Sequence, residues 1–166
     1  MRRALLHPIF ASPAPDQNIV YSEHPSTKID LFVEILQYHL AQQGRPPLQV
    51  ANPGMSNDLV PNLAAAQPEG TVLTTPTRAD KIVGFLMFPS SMWIVAKALK
   101  EKGIKFVSIT GKNSPTKRAT ILEDFRKSKT HHVLIISSVG TTGLNMWFAR
   151  VLVILVRLFS LLKICY

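Results

Sequence analysis

The feature that most constrains the fold is a repeated exchange, in the second half of the chain, between short apolar runs and segments with helical spacing. The run KIVGFLMF, at residues 81–88, has the length of a strand and shows no alternation, which is typical of a strand buried on both faces. Similar runs follow at 104–109, 132–137 and 151–156. Helical segments separate the first three runs. This order predicts an α/β fold, a parallel sheet with helices on both faces.

Both helical segments carry terminal signals. In the second, Ser114 is placed to cap the helix and Pro115 occupies its first position, while Gly103 ends the first. The side chains expected on the buried stripes are Met92, Val95, Ala96 and Leu99 in the first segment, and Ile121, Leu122 and Phe125 in the second.

The first half of the chain is less regular. Residues 1–25 are expected to form a tail. Its apolar run is too short for a secretory signal. A leading amphipathic helix is predicted over 26–40, followed by a Pro-rich linker or insert over 41–80. The sheet domain then occupies 81–156, and 157–166 is an apolar tail that fits no element expected next.

Charge points to an anionic partner. The chain has 19 Lys or Arg against 10 Asp or Glu, a formal charge of +9, and ten of the cations lie between Lys97 and Lys129. Such a concentration favours a phosphate-binding surface, although a solvated helix face explains it equally well. The single cysteine, Cys165, forms no internal disulfide, so nothing requires an oxidising compartment.

The loops that follow the predicted strands are small and polar. Because parallel strands end at one edge of the sheet, the loops at 89–91, 110–114 and 137–143 are expected to lie together. In the last loop Ser137, Ser138, Thr141 and Thr142 offer hydroxyl donors, and its glycines let backbone amides approach a phosphate. A plain strand-to-helix turn is the alternative.

Several catalytic motifs are excluded. The stretch ITGKNS fails the P-loop pattern, because Phe106 and Asn113 stand where a glycine and a hydroxyl are needed. His131 and His132 are adjacent in a strand and point to opposite faces, which suits no shared metal. No motif supports a serine nucleophile. Trp93 and Trp147 either stack on bases or pack against the sheet.

Four patches in order resemble the second RecA-like lobe of superfamily-two helicases and translocases, most closely the Swi/Snf-type ATPases. STKIDLFVEIL is similar to the helix that precedes that lobe, and KIVGFLMFPSS to motif IV. ITGKNSPTKRATILEDF resembles the segment that follows, and VLIISSVGTTGLN resembles motif V. The resemblance covers residues 26–36 and 81–150 and implies a RecA-like sheet.

The resemblance implies roles at the matching positions. Contacts to the DNA backbone fall on Ser90, Ser91, Ser137 and Thr141, with Lys112 and Arg118 added from the basic segment between them. Arg118 is expected to be structural or to touch the backbone. Contacts to the nucleotide fall on Gly143 and Asn145. Neither a catalytic residue nor a metal ligand is expected in this chain.

The family also implies cofactors and partners. The complete enzyme uses ATP and Mg²⁺, which this chain alone is expected not to bind tightly. Its partners are DNA, contacted at the backbone without sequence specificity, a first RecA-like lobe, and chromatin in the nucleus. No membrane partner is expected.

The sequence departs from the family at two places. Ser138, Val139 and Thr141 replace the usual basic residue, alanine and second glycine of motif V. After residue 156 the chain lacks the motif VI pattern, Q-x-x-G-R-x-x-R, whose arginine reaches the γ-phosphate in the family. We therefore expect the chain to be a fragment whose last residues, from about 156, arise from a frame change or a retained intron. We also expect no ATP turnover by the chain alone.

Three other interpretations remain open from the sequence. The first is a nucleic-acid-binding α/β module without catalysis. The second is a membrane anchor over residues 147–166, which Arg157 near its middle disfavours. The third is a flavodoxin-like domain that binds a nucleotide cofactor, which shares the sheet pattern but has no motif support.

Overall fold

The computed structural model describes residues 8–11, 16–41, 46, 48–50, 58–63, 81–138, 145–155 and 163–165. Its helices are α1 (Thr27–Ala41), α2 (Met92–Glu101) and α3 (Pro115–Lys127). Its strands are β1 (Leu48–Val50), β2 (Leu59–Pro61), β3 (Ile82–Leu86), β4 (Phe106–Ile109), β5 (Val133–Ser137), β6 (Val151–Ile154) and β7 (Lys163–Cys165).

The central sheet has five strands in the order β4-β5-β3-β6-β7. The first four are parallel, and Ile82 of β3 lies opposite Val133 of β5 and Val151 of β6. These four strands are the ones that the apolar runs predict, so the α/β fold class is confirmed. β7 pairs antiparallel with β6.

Local signals explain where the helices begin and end. The Ser114 hydroxyl accepts a hydrogen bond from the Lys117 amide, and Pro115 occupies the first turn of α3, as predicted. The Ser26 carbonyl accepts the bond from the Asp30 amide that starts α1. Beyond the end of α2, Gly103 adopts a φ of 67°, a left-handed conformation that glycine tolerates without a steric penalty.

Helices α1 and α2 cover one face of the sheet, which we call the α1/α2 face. Every second residue of β3, β5 and β6 points to it, including the buried Ile82, Ile135 and Val153. The helices bury Ile29, Phe32, Val33, Ile35 and Leu36 from α1, and Ile94, Val95, Ala98 and Leu99 from α2. In the predicted stripe of α2, Val95 and Leu99 are buried, Met92 is half-buried and packs against the same cluster, and Ala96 is half-buried. α2 also packs against α1 and the chain before it, which widens its buried side.

Helix α3 covers the opposite face, the α3 face. Its Phe125 is buried against a smaller cluster with Val83, Leu134 and Ile136, while Ile121 and Leu122 are half-buried beside it. The prediction of helices on both faces is therefore confirmed. Residues 145–150, which lead into β6, lie on this face too, because Met146 and Phe148 pack against the same cluster.

Helix α1 approaches the sheet closely at Gly84 of β3. A Cβ atom added there would lie 2.8 Å from Cζ of Phe32 and 2.9 Å from Cδ1 of Ile135. Both distances are shorter than carbon atoms tolerate. The glycine in the middle of β3 thus lets the Phe32 ring rest directly on the sheet and sets the height of α1 above it.

The segment 16–26, part of the expected tail, is fastened to α2. The Lys97 ammonium donates to the carbonyl oxygens of Gln17 and Ile19, the latter at 2.7 Å. At the end of α2 the Glu101 carboxylate accepts from the amides of Tyr21, at 2.6 Å, and Ser22, at 3.0 Å. Two side chains of α2 therefore hold the backbone of this segment.

Tyr21 anchors the same segment to α1. Its ring is buried, its hydroxyl lies 2.7 Å from Oδ1 of Asp30 and 3.1 Å from the Ser26 carbonyl, and it accepts from the Ser26 amide at 3.0 Å. Burial raises the pKa of the Tyr21 hydroxyl well above its usual value, and the Asp30 carboxylate adds to the shift.

Two segments for which no strand was predicted contain strands. Within the predicted linker, β1 and β2 pair antiparallel, with Gln49 opposite Val60. Within the predicted off-pattern tail, β7 pairs with β6, with Ile164 opposite Val153. Three-residue strands of this kind depend on their partner strands rather than on a local pattern.

The membrane-anchor interpretation required a helix over 147–166. In that range the structure has the two paired strands β6 and β7. Among the residues that the structure describes, no helix is long and apolar enough to cross a membrane.

Candidate nucleic-acid interface

The loops predicted to lie together follow three neighbouring strands. Leu86 at the end of β3 lies opposite Ser137 at the end of β5, and Ile109 at the end of β4 lies opposite Ile136. We call this end of the sheet the carboxyl edge. It gathers the turn 87–91, the loop 110–114 and the start of the loop that leaves β5.

The turn after β3 offers one exposed hydroxyl. Ser90 is exposed, whereas Ser91 is buried and its hydroxyl donates to the Phe88 carbonyl at 2.6 Å. The Ser91 amide bonds to the same carbonyl at 3.0 Å. Of the two serines in this turn that were predicted to contact DNA, only Ser90 presents its side chain to solvent, and Ser91 shapes the turn that starts α2.

The loop after β4 is held by its own side chains. Oδ1 of Asn113 accepts from the Thr110 amide at 2.8 Å, and the Asn113 amide donates back to the Thr110 carbonyl at 3.1 Å. Arg118 donates from Nε to the Asn113 carbonyl at 2.9 Å and from Nη2 to the Gly111 carbonyl at 3.3 Å. Arg118 therefore braces this loop, which corresponds to one of the two roles expected for it, and Lys112 is exposed at the tip.

The loop after β5 begins with two serines in different environments. Ser137 is fully buried on the α1/α2 face, and its hydroxyl has no hydrogen-bond partner among the described residues. Ser138 donates from Oγ to the Met87 carbonyl at 2.8 Å, which ties this loop to the turn after β3. A buried Ser137 presents no side chain to a DNA strand at the surface.

The remaining predicted positions lie further along the chain. Thr141 and Gly143 fall outside the residues that the structure describes. Asn145 is exposed, and its Oδ1 accepts from the Trp147 amide at 3.3 Å.

The basic region between Lys97 and Lys129 is divided by the fold. Lys97 is occupied by the segment 16–26, whereas Lys112 and Lys117 are exposed near the start of α3, at the carboxyl edge. Arg126 and Lys127 end α3 at the opposite edge, where both contact the Glu123 carboxylate, at 2.6 and 3.1 Å. Their hydrogen bonds, first from Arg126 and then from Lys127, lower the pKa of Glu123 to about 2. A solvated helix face, the alternative explanation for this concentration of charge, therefore accounts for only part of the region.

Lys81 is a residue that the sequence reasoning missed. It is buried, donates from Nζ to the carbonyls of Ser128 and His131, both at 2.6 Å, and lies 4.6 Å from the centre of the Phe125 ring. These bonds fasten the end of α3 to the start of β3. The sequence contained a signal for this, a lysine directly before an uninterrupted apolar run. Because such a run forms a buried strand, the lysine has little access to water.

The described residues offer polar and cationic contacts rather than bond-breaking groups. Among them no three His, Cys, Asp or Glu side chains converge on a possible metal site. The carboxyl edge provides the exposed hydroxyl of Ser90, the exposed ammonium of Lys112 and the amino terminus of α3. The loops that carry these groups are held by internal hydrogen bonds. Such groups bind phosphate oxygens.

Comparisons with known proteins agree with this fold. The family described as helicase conserved C-terminal domain matches residues 64–158, which is more than half of the chain. No curated protein sequence matches at a significant level.

Two solved structures are similar. The Sulfolobus solfataricus SWI2/SNF2 ATPase C-terminal domain has a TM-score of 0.59 and 18% identity, covering 94% of this chain and 51% of that one. The C-terminal part of the Fun30 ATPase domain has a TM-score of 0.44 and 23% identity, covering 47% of this chain and 26% of that one. The chain thus spans about half of the first structure and about a quarter of the second.

Proposed function

The chain belongs to the helicase conserved C-terminal domain family, and from that premise we propose that it serves as the second lobe of a DNA-dependent ATPase of the Swi/Snf type. The observation that carries the proposal is the carboxyl edge, where the loops of three parallel strands present Ser90 and Lys112 to solvent. These loops are braced from within by Ser91, Asn113, Arg118 and Ser138. The fold shared with the Sulfolobus SWI2/SNF2 domain supports the subtype.

In this proposal the DNA contact has two layers. Ser90, Lys112 and Thr141 touch the phosphates, because hydroxyl and ammonium groups are the usual donors to that backbone. Ser91, Arg118 and Ser137 act from behind, since the first two bond to loop carbonyls and the third is buried. Contacts of this kind read no base sequence, so binding is nonspecific.

The nucleotide is proposed to meet this chain at Gly143 and Asn145. ATP supplies the phosphoryl group whose transfer to water drives translocation in this family. The described residues by themselves do not fit Mg²⁺, because they bring no set of carboxylates together. We propose that a first RecA-like lobe holds the triphosphate and its metal ion. Chromatin DNA in the nucleus is the proposed working context.

The proposal is tested by DNA binding of the full chain as a function of salt. With a fluorescently labelled duplex, the logarithm of the binding constant should fall linearly with the logarithm of the salt concentration. Lys112→Gln should reduce the slope by about 0.9, the effect of one phosphate contact. Lys28→Gln is the matched control, because Lys28 lies on α1, away from the carboxyl edge. Binding without salt dependence, or an unchanged slope in Lys112→Gln, would contradict the proposal.

A second assay separates an ATPase lobe from a binding module without catalysis. ATP hydrolysis is measured with and without duplex DNA, for the chain alone and after addition of a first lobe from a Swi/Snf-type enzyme. The proposal expects turnover above the first-lobe blank only in a mixture that also contains a segment carrying the motif VI arginine. DNA binding with no turnover in any mixture favours the noncatalytic module.

A further inference from the structure

Trp147 is the most exposed aromatic residue among those that the structure describes. Its side chain is 74% exposed, whereas the other tryptophan, Trp93, is half-buried against Phe10. The sequence left two roles open for these residues, stacking on bases or packing within the protein, and the two tryptophans differ in which role their exposure permits. Trp93 packs against the segment near the amino terminus, and Trp147 is available to a partner.

The exposed indole is carried on a chain of packed rings. Trp147 meets Phe148 edge to face, with ring centres 6.4 Å apart at 77°, and Phe148 lies 6.1 Å from the buried Phe125. Lys81 lies under the Phe125 ring, and its carbonyl accepts from the Arg150 amide at 2.9 Å. Trp147 therefore packs on Phe148, which in turn packs on Phe125, while most of the indole surface stays accessible to solvent.

This support places Trp147 near the amino ends of the strands. Lys81 and Arg150 directly precede β3 and β6, and Phe125 lies in the last turn of α3. The position is at the opposite end of the sheet from the carboxyl edge. Lys81 and Phe125 belong to patches that resemble the helicase family, whereas Trp147 and Phe148 follow the last of these patches.

Several cations lie close in sequence to the residues of this ring stack, at the same end of the sheet. Arg126 and Lys127 end α3, Lys129 follows them, and Arg150 lies three residues after Trp147. Lys129 and Arg150 are exposed, and Lys129 makes no ion pair within the described part of the chain. Glu123 pairs with the first two cations, so it neutralises only part of this charge. We define Trp147, Arg126, Lys127, Lys129 and Arg150 as the Trp147 surface.

We infer that the Trp147 surface binds single-stranded nucleic acid, with a base stacked on Trp147 and phosphates on Lys129 and Arg150. A single strand presents unpaired base faces and phosphates together, which is the combination that an exposed indole among cations recognises. A duplex keeps its base faces stacked inside. An acidic peptide would use the cations but would leave the indole without a matching group.

This second surface would let the lobe hold a strand at the end opposite to its proposed duplex contact. It does not rest on the carboxyl edge, because it shares no described residue with that site. The two sites can therefore be tested separately in the same chain.

The test uses the full chain carrying Trp93→Phe, which leaves Trp147 as the only tryptophan. Oligothymidine is titrated while the emission of Trp147 is followed. We expect saturable quenching that weakens with added salt. In a parallel anisotropy assay, Trp147→Ala should lower the affinity about 5- to 150-fold, the range for loss of one stacked base, and Trp147→Tyr should restore most of it.

Charge variants locate the site. Lys129→Gln and Arg150→Gln should each reduce the salt slope for oligothymidine by about 0.7. Lys112→Gln, at the carboxyl edge, should leave the quenching unchanged. Absence of quenching, loss of quenching in Lys112→Gln, or equal quenching by polyglutamate would each overturn the inference; the last result would identify an acidic peptide as the partner.

Discussion

The α1/α2 face of the sheet is covered by two helices and the segment 16–26, whereas the α3 face is covered by one helix and the residues 145–150. The first face contains most of the buried apolar side chains. The second has a much smaller buried cluster, with a lysine under its main aromatic ring. The two faces of one sheet thus differ in how much chain protects them.

The difference in cover indicates that the α1/α2 face mainly stabilises the fold, whereas the α3 side also takes part in binding. Two of the proposed contacts belong to the α3 side, since Lys112 precedes the start of α3 and Trp147 meets Phe148, which lies beside Phe125 in its last turn. A thin cover leaves backbone and cations near solvent, where a polyanion can reach them. Changes on the α1/α2 face should therefore alter folding alone, while changes under α3 should alter both folding and binding.

The largest effect is expected from Phe125→Ala. The variant removes a buried ring and exposes the Lys81 ammonium beneath it, so the free energy of unfolding should fall by about 3–5 kcal/mol in urea titrations. Oligothymidine affinity of the remaining folded protein should fall as well, because Phe148 loses its support. Phe32→Ala, on the other face, is the control and should lower stability alone. A loss below about 1 kcal/mol for Phe125→Ala would contradict the packing described.

Gly84→Ala should follow, with a loss of about 1–3 kcal/mol. The added methyl group overlaps the Phe32 ring and Ile135, so α1 must shift outward. Adding Phe32→Leu, which removes the ring, should recover part of the loss. If the double variant loses as much free energy of unfolding as the two single variants together, or more, the contact between ring and glycine is not the cause.

Tyr21→Phe should cost about 1–2 kcal/mol, because it leaves the buried Ser26 amide without its acceptor. The ring remains, so the effect isolates the hydrogen bonds that join the segment 16–26 to α1. Tyr38→Phe is the comparison, since its hydroxyl donates to the Pro46 carbonyl at 3.2 Å in a half-buried position. Equal thermal shifts in the two variants would argue against a specific role for Tyr21.

The smallest effect concerns the titration of Glu123. Arg126 and Lys127 hold its pKa at about 2, below the unfolded value near 4.3. The pair therefore stabilises the fold above about pH 4.3, and this contribution is lost as the pH falls through about 2. Because the pair is exposed, the change in stability should be slight. Carboxyl NMR should give a midpoint near 2 in the native chain and a higher one in Arg126→Gln.

Local patterns were sufficient to predict the three helices and the four parallel strands. Continuous apolar runs marked β3, β5 and β6, and Ser114 with Pro115 marked the start of α3. Features that depend on distant partners were not predicted. β7 exists through its pairing with β6, and the segment 16–26 is ordered by Lys97 and Glu101, nearly eighty residues away.

The candidate site was predictable in position but not in the use of each side chain. The carboxyl edge followed from parallel topology alone. Whether a serine faces solvent or a carbonyl depends on the turn around it, so Ser90 and Ser91 received the same role from sequence although only Ser90 is exposed. The exposure of Trp147 depends on which rings pack beneath it, which sequence spacing does not encode.

The most direct measurement is amide NMR of the full chain during titration with a short DNA duplex. If the lobe binds the DNA backbone through the carboxyl edge, resonances of Ser90, Lys112 and Ser138 should shift together and return with added salt. Those of Lys28 and Glu34 on α1 should stay in place. No shift at the carboxyl edge at saturating duplex, or shifts confined to α1, would contradict the proposed DNA-binding role.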